Sequence, residues 1–456
     1  MSIIKNIFKN FNLNWLLALI VISVTWVNLN HERWLHKNVI EQDVANYYAY
    51  LPASIIEHDL TLSFLNHPNH QHKDEKYWPN KAPNGNYVIK MSMGMALSYL
   101  PFFLLAHGFA HVFNYSTNGF SEPYQFAILF SSLFYFILSV FFLVKILRLY
   151  FNEKIVLLTI FCLSFATNIF YYLTLGAGLS HIFSFALMSV FIFYSLHWQQ
   201  HQSFKTAIII GCLIGLLTLV RPINALAFLF FFLFNFQSII SGKKIVLPIV
   251  LQFFVMALMA LILFSPQLFY WKWLTGDYLF NSYVGEHFYF NNPHFIAGLF
   301  SFRKGWLIYT PIMSFSMLGF LFLKNKLKHI LIPLIIFTGI YLYVCFSWWC
   351  WWYGGSCGQR ALIDIYPFLA LPFAAFIERF SKSPAFLKRT LYVLISCFTF
   401  LNLFQTAQAK YNILHYDSMT RANYLQIFFT MTTKPDREHY LLHPNYEKAK
   451  RGEEEY

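Results

Sequence analysis

Apolar runs of roughly twenty residues, each long enough to cross a bilayer as a helix, alternate along the chain with short polar connections. The first runs from Leu13 to Leu29, and others follow at Tyr124–Leu147, Ile155–Leu173, Ser180–Trp198, Ala207–Val220 and Ile223–Phe236. Ile245–Phe264, Trp306–Leu323, Ile330–Phe346, Ala361–Ile377 and Thr390–Ala407 continue the series. This spacing predicts an all-α polytopic membrane protein of about eleven transmembrane helices. One further apolar stretch, Met91 to Phe113, is broken by Pro101 and dotted with His107 and His111. If it crossed the bilayer, Lys145, Arg148 and Lys154 would fall outside, so it reads as a helix lying in, or re-entering, the outer leaflet.

The polar connections set the orientation. Lys5 and Lys9, the Lys145–Lys154 cluster, Lys205, Lys243 and Lys244, Lys324 to Lys328, and Arg379 to Arg389 all fall on one side, which the excess of positive charge marks as cytoplasmic. The N-terminus is then cytoplasmic. The first helix, which shows no small-x-small cleavage site, reads as an uncleaved anchor. A long outer loop at about 30–123 carries interfacial helices, and outer loops follow at about 265–305 and 347–360. Residues 1–408 form the membrane domain, and 409–456 a polar, non-cytoplasmic tail, loose at its charged end Glu453-Glu454-Glu455-Tyr456.

Composition agrees with that class. Of 456 residues, 57% are hydrophobic and 12% charged, which excludes an ordinary soluble fold. The net charge of +13 lies mostly in the inner connections, so membrane topology accounts for it and a nucleic-acid partner is not needed. No Walker phosphate loop or dinucleotide fingerprint is present. Cys350 and Cys357 share the third outer loop and form a disulfide only if that compartment is oxidising.

In a chain this poor in acids, Glu41-Gln42-Asp43 just outside the first helix is conspicuous. Asp43 either caps a helix starting near Val44 or serves as a base beside an aromatic surface; both roles are compatible. Glu41 is a helper to it or a solvated loop acid. Tyr47 and Tyr48 line a sugar site or anchor the helix at the interface. Arg221, with Pro222 behind it, holds an anion or snorkels to headgroups. His181 at the start of a span is a ligand donor or a satisfied polar residue. Arg303 and Lys304 face the outer surface against the usual charge bias, where a lipid-linked phosphate or ordinary anionic headgroups account for them. The run Trp348 to Tyr353, with Trp352, ends in Gln359-Arg360 and places stacking surfaces beside a cation. His67, His70 and His72 form either a metal cluster or a solvated loop.

These residues, in this order, resemble the GT-C class of membrane glycosyltransferases, in particular bacterial relatives of the protein O-mannosyltransferases and aminoarabinose transferases. The resemblance rests on Glu41-Gln42-Asp43 leading to Tyr47-Tyr48, on Tyr99-Leu100-Pro101-Phe102-Phe103 and on Arg221-Pro222. It extends to Gly276-Asp277, Phe300-Ser301-Phe302-Arg303-Lys304-Gly305 and the aromatic-Gly-Gly run reaching Gln359-Arg360. It implies a bacterial inner-membrane enzyme that moves a sugar from a polyprenyl-phosphate donor to a lipid, glycan or protein acceptor on the non-cytoplasmic face. It also implies Asp43 as base with Glu41 assisting, and donor-phosphate contacts from Arg221, Arg303, Lys304 and Arg360. Tyr47, Tyr48, His181 and Trp352 are the substrate-binding candidates. The family's adjacent Asp-Glu pair is replaced here, and no second acid stands near Leu173 to His181, so no metal ligand is assigned and a divalent metal stays open. A flippase of lipid-linked sugars and a noncatalytic assembly protein remain as rivals. The transferase reading requires the early acid and the later arginines to gather around one cavity.

Overall fold

The computed structural model describes residues 12–66, 77–241, 246–324 and 326–454. The histidines at 67, 70 and 72 lie outside the described residues, as do Lys5, Lys9, Lys243 and Lys244.

In chain order the helices are α1 (Leu13–His31), α2 (Gln42–Tyr48), α3 (Tyr50–Ile55), α4 (Gly94–Val112), α5 (Glu122–Arg148), α6 (Glu153–Phe165) and α7 (Ile169–Leu173). Then come α8 (Ser180–Gln200), α9 (Phe204–Val220), α10 (Ala227–Ser241), α11 (Val246–Thr275), α12 (Phe295–Phe300), α13 (Trp306–Tyr309) and α14 (Met313–Leu323). The last are α15 (Lys328–Phe346), α16 (Tyr366–Ser381), α17 (Ala385–Lys410), α18 (Arg421–Ile427) and α19 (Tyr446–Lys450). A short antiparallel hairpin, β1 (Pro79–Lys81) and β2 (Tyr87–Ile89), precedes α4.

Among the described residues, 8 helices are long and apolar enough to cross a membrane, and three shorter apolar helices accompany them. The chain is an integral multi-pass membrane protein. Three segments depart from the expected spans. Met91–Phe113 contains one unbroken 19-residue helix, α4, which accommodates Pro101 and is itself of spanning length. The expected span Ile155–Leu173 breaks after α6, because the chain turns at Ala166 to Asn168 before α7. Trp306–Leu323 breaks at Thr310 (ψ 60°), where Pro311 supplies no N–H to carry the ladder on.

The chain divides into two compact units. The first contains Met1–His31, Ile137–Gly176 and His287–Tyr456. Its centre is the segment Arg360–Ser381, 94% of whose apolar window is buried, against α6, α14 and α17. Helix α14 lies so close to α16 that a Cβ on Gly319 would stand 1.9 Å from the Pro372 carbonyl oxygen. Helix approach of this kind needs a residue without a side chain. Residues beyond Lys410 fold onto this unit: Ile413, Leu414, Met419, Tyr424 and Ile427 pack with Tyr309 and Cys357 in one apolar cluster. Ala449 joins Trp349, Trp351 and Trp352 in another, so the charged terminal stretch is anchored by its few apolar side chains.

The second unit contains Glu32–Phe136 and Ala177–Glu286. Here α9 packs along α11, where Gly211 and Gly215 admit the backbone of Met256 and Ala260. The loop after α11 is fastened to the hairpin. Asn84 and Asn86 each donate to the Leu274 carbonyl (2.7 and 2.9 Å), Asn80 donates to that of Ser282 (2.6 Å), and the Ser282 hydroxyl donates to the Lys90 carbonyl (2.6 Å).

Thermal unfolding in detergent checks the close approach at Gly319. Gly319→Ala is expected to cost about 1–3 kcal/mol by overpacking against backbone. Gly339→Ala, with nothing within 4 Å of its new methyl, is expected to be neutral or to gain up to about 1 kcal/mol of helix propensity.

Candidate functional site

The first acid-bearing helix starts where the sequence places it, but with a different cap. Glu41 is the N-cap residue and makes no side-chain capping bond, while Asp43 sits in the first turn of α2, half-buried. A carboxylate there is favoured by the helix dipole. Gln42 between them has φ 49°, a left-handed conformation that costs an ordinary side chain roughly 1–3 kcal/mol and is commonest where a site holds it. Tyr47 is one helical turn beyond Asp43, on the same face. Its hydroxyl shares a hydrogen bond of 3.1 Å with Ser180 Oγ, at the start of α8. Gly178 makes this contact between helices attainable: at φ 95° it turns the chain into α8, and a Cβ there would press on Val44 of α2 at 3.2 Å.

The next residue of α8 is His181, which is 4% exposed, and its Nδ1 lies 3.2 Å from Arg221 Nη1. Arg221 closes α9 in an extended conformation (φ −153°, ψ 123°) before Pro222 starts a 3₁₀ turn. The bend frees its guanidinium from the helix axis. Asp43, Tyr47 and Arg221 all act electrostatically on the half-buried phenol of Tyr283, as does Glu286. Burial holds that phenol well above its ordinary pKa, Tyr47 and Asp43 add to the rise, and Arg221 opposes it. Lys90 Nζ reaches Glu286 Oε1 at 2.5 Å and stands 5.1 Å from the centre of the Tyr283 ring. The second unit thus gathers a carboxylate, an Arg–His pair, a Lys–Glu pair and two phenols.

Lys90, Tyr283 and Glu286 were not foreseen in the sequence. One signal was there: Glu286 and Asp277 are the two acids between 265 and 305, in a chain with 20 acids in all. Tyr48 points its hydroxyl at backbone. It is fully buried and its hydroxyl donates to the Gly119 carbonyl at 2.5 Å.

Arg303, Lys304, Arg360 and Trp352 belong to the first unit, whereas Asp43, Glu41, Arg221 and His181 belong to the second. Arg303 and Lys304 do not present cations at a surface, being 2% and 1% exposed. Arg303 donates to the carbonyls of Asp417 (2.9 Å) and Leu442 (3.0 Å) and lies 5.5 Å over the Trp352 ring. Lys304 donates to the Ser356 carbonyl, and burial pushes its ammonium down to about 8. The charges are spent on loop backbone, a use that a local motif does not reveal. Arg360 is half-buried at the head of the 3₁₀ turn before α16, and its charge reaches Lys304 and Tyr172. Trp352 is fully buried and packs on Tyr446. Cys350 and Cys357 are both buried, and the structure does not join them in a disulfide.

No protein-family model matches the chain, and no curated protein matches it in sequence. Among solved structures it is similar to the archaeal oligosaccharyltransferase AglB from Archaeoglobus fulgidus in complex with an inhibitory peptide and a dolichol-phosphate. The identity is 15% over 95% of this chain and 59% of that one, with a TM-score of 0.48. The Archaeoglobus fulgidus oligosaccharyltransferase in complex with Zn and sulfate gives 13% identity over 94% of this chain and 61% of that one, with a TM-score of 0.49. The same enzyme tethered to an acceptor peptide gives 13% over 98% and 61%, also at 0.49. The chain spans about three fifths of the length of these structures.

Lys304 gives a pH dependence of defined sign. Its folded value of about 8 lies below the ordinary 10.5, so between the two the unfolded chain binds a proton that the folded one does not. Stability therefore rises with pH across that window, and the cost of burying the charge is fully present below it. Melting temperatures of wild type and Lys304→Met from pH 7.5 to 10 are expected to show a climb in the wild type that the variant lacks.

Proposed function

We propose that this protein is a membrane glycosyltransferase. It moves a sugar from a polyprenyl-phosphate donor to a hydroxyl or amine of a lipid, glycan or protein on the non-cytoplasmic face. The reading is carried by one observation: Tyr47, one turn beyond Asp43 in α2, bonds to Ser180 (3.1 Å), and the next residue, His181, pairs with Arg221 (3.2 Å) within one unit. A base and an anion holder are the two groups that such a transfer needs.

In this mechanism the Asp43 carboxylate takes the proton of the acceptor as its oxygen or nitrogen attacks the anomeric carbon. The bond from that carbon to the donor phosphate oxygen breaks, and the electron pair leaves with the phosphate. Arg221, held by His181, stabilises the departing charge, which is where a site of this kind gains most. Attack opposite the leaving group inverts the anomeric centre. Tyr47 and Tyr283 border the sugar. Glu41, at the cap of α2, shapes the approach to Asp43. A divalent metal is not required by these steps, and the Asp43 side of the site leaves room in the chemistry for one.

Asp43→Asn keeps shape and removes basicity, and is expected to lower transfer from a polyprenyl-phosphate sugar by about 10²–10⁴-fold. Arg221→Met is expected to lower it by roughly 10²–10³-fold, the size typical of losing a charge-stabilising donor. Product is measured by mass spectrometry after incubating purified protein with donor lipid, beside melting curves to exclude misfolding. Undiminished transfer by well-folded Asp43→Asn protein would remove Asp43 as the base.

A further inference from the structure

The first unit holds a second group of side chains that the transfer does not use. His415, Asp417 and His443 each place one donor atom within 4.8 Å of the other two. His415 and Asp417 are buried, and His443 is exposed, which opens a path from solvent. His415 Nδ1 and Asp417 Oδ1 are 3.3 Å apart. That is close to the spacing of neighbouring ligands in a tetrahedral zinc site, roughly 3.3 Å for metal bonds of about 2.0–2.1 Å.

The surrounding hydrogen bonds fix which ring nitrogen lacks a proton. Backbone N–H groups of Ser418 (3.1 Å) and Asp417 (3.3 Å) point at His415 Nδ1, so that nitrogen is unprotonated, as imidazole must be to bind a metal, and an ion bound there would displace these two contacts. Glu438 Oε1 lies 2.5 Å from His443 Nε2. A carboxylate on the far ring nitrogen fixes the tautomer with Nδ1 unprotonated, the usual support of a metal-ligating histidine. Tyr446 donates to Asp417 Oδ2 (2.8 Å) and leaves Oδ1 facing the two imidazoles. Between them stands Ser418 Oγ, 2.6 Å from Asp417 Oδ1 and 2.9 Å from His443 Nδ1. Ser418 donates to Asp417 Oδ1, and its oxygen takes a proton from His443 Nδ1 or, where that nitrogen is bare, stands beside it as a second ligand to a cation.

Ser418, His443 and Glu438 also line up as a nucleophile, base and acid would. Ser418 is fully buried, so no substrate reaches its oxygen, and that reading fails. Arg303 stands against the site as a positive charge, donating to the carbonyls of Asp417 and Leu442. The carboxylates of Asp417 and Glu438 offset it.

We propose that His415, Asp417 and His443 bind a divalent zinc ion, with Ser418 Oγ or a water as the fourth ligand, and that this ion clips residue 443 to the 415–417 turn. Two nitrogens and one carboxylate oxygen with an open fourth position suit zinc better than calcium or magnesium, which take oxygen ligands. The ion closes the segment from 418 to 442, which carries α18, against the helices of the first unit. The site is structural, and it stands or falls independently of the transferase reading.

The test uses full-length protein in detergent, stripped with a chelator and titrated with Zn²⁺ by calorimetry, and with Co²⁺ by visible absorption. His443→Ala is the main variant because its side chain is exposed. A second variant, His67→Ala with His70→Ala and His72→Ala, controls for zinc capture by that histidine-rich stretch. Wild type and the triple variant are expected to bind one equivalent, to show the absorption of tetrahedral cobalt and to gain melting temperature with zinc. His443→Ala is expected to bind at least tenfold more weakly and to lose both signals while its metal-free melting temperature stays that of the wild type. Wild type binding no more zinc than His443→Ala, or binding that disappears in the triple variant and persists in His443→Ala, overturns the proposal.

Discussion

Irregular backbone lying among apolar helices must find hydrogen-bond partners inside the protein, and in this chain side chains supply them. Gln125 Oε1 accepts from the amides of Val39 and Ile40, and Gln267 Oε1 from that of Met93. Asn28 donates to the Leu173 carbonyl where α7 ends, and Asn168 donates to that of Cys357. Each bond ties a loop to a helix that is distant in sequence. The helices hold themselves together internally; the irregular segments between them are placed by these polar side chains.

The same requirement decides what becomes of the charges. Arg303 and Lys304 read as cations offered to a lipid phosphate, yet both spend their protons on carbonyls of the tail and the third outer loop. A hydrogen bond from a charged donor contributes roughly 1.5–3 kcal/mol, and an uncompensated buried charge costs more than that. The arrangement therefore fixes the 409–456 segment to the first unit. Arg221 has a different setting, because Pro222 ends its helix and its guanidinium lies 3.2 Å from His181 Nδ1.

Within the second unit the candidate site is built on short, fixed elements. Helix α2 is held at both faces: Tyr47 bonds to Ser180 and Tyr48 to Gly119. The loop bearing Tyr283 and Glu286 is fastened through Ser282 to Asn80 of the hairpin and to Lys90, while Asn84 and Asn86 hold the end of α11. Such fixing accompanies the junction of α2 and the end of α9 at the start of α8, where Tyr47 bonds to Ser180 and Arg221 pairs with His181. It also accounts for the left-handed Gln42, whose strain the packed neighbours of α2 hold in place.

Read alone, the sequence gives the membrane class, the positions of most helices, and Asp43, Tyr47, His181 and Arg221 as residues to watch. Those follow from composition, apolar run length and the cost of a charge near a bilayer, all of which are local quantities. Arg303 and Lys304, read as facing the outer surface, are almost wholly buried, as are Tyr48 and Trp352, and the sequence passes over Lys90, Tyr283 and Glu286. The stretch read as a helix lying in, or re-entering, the outer leaflet is the continuous helix α4, and the segment beyond Gln408, read as a polar tail loose at its charged end, packs apolar side chains on the first unit. What each of these groups touches is settled by packing between segments about 40 to 200 positions apart, and no window along the chain contains both partners.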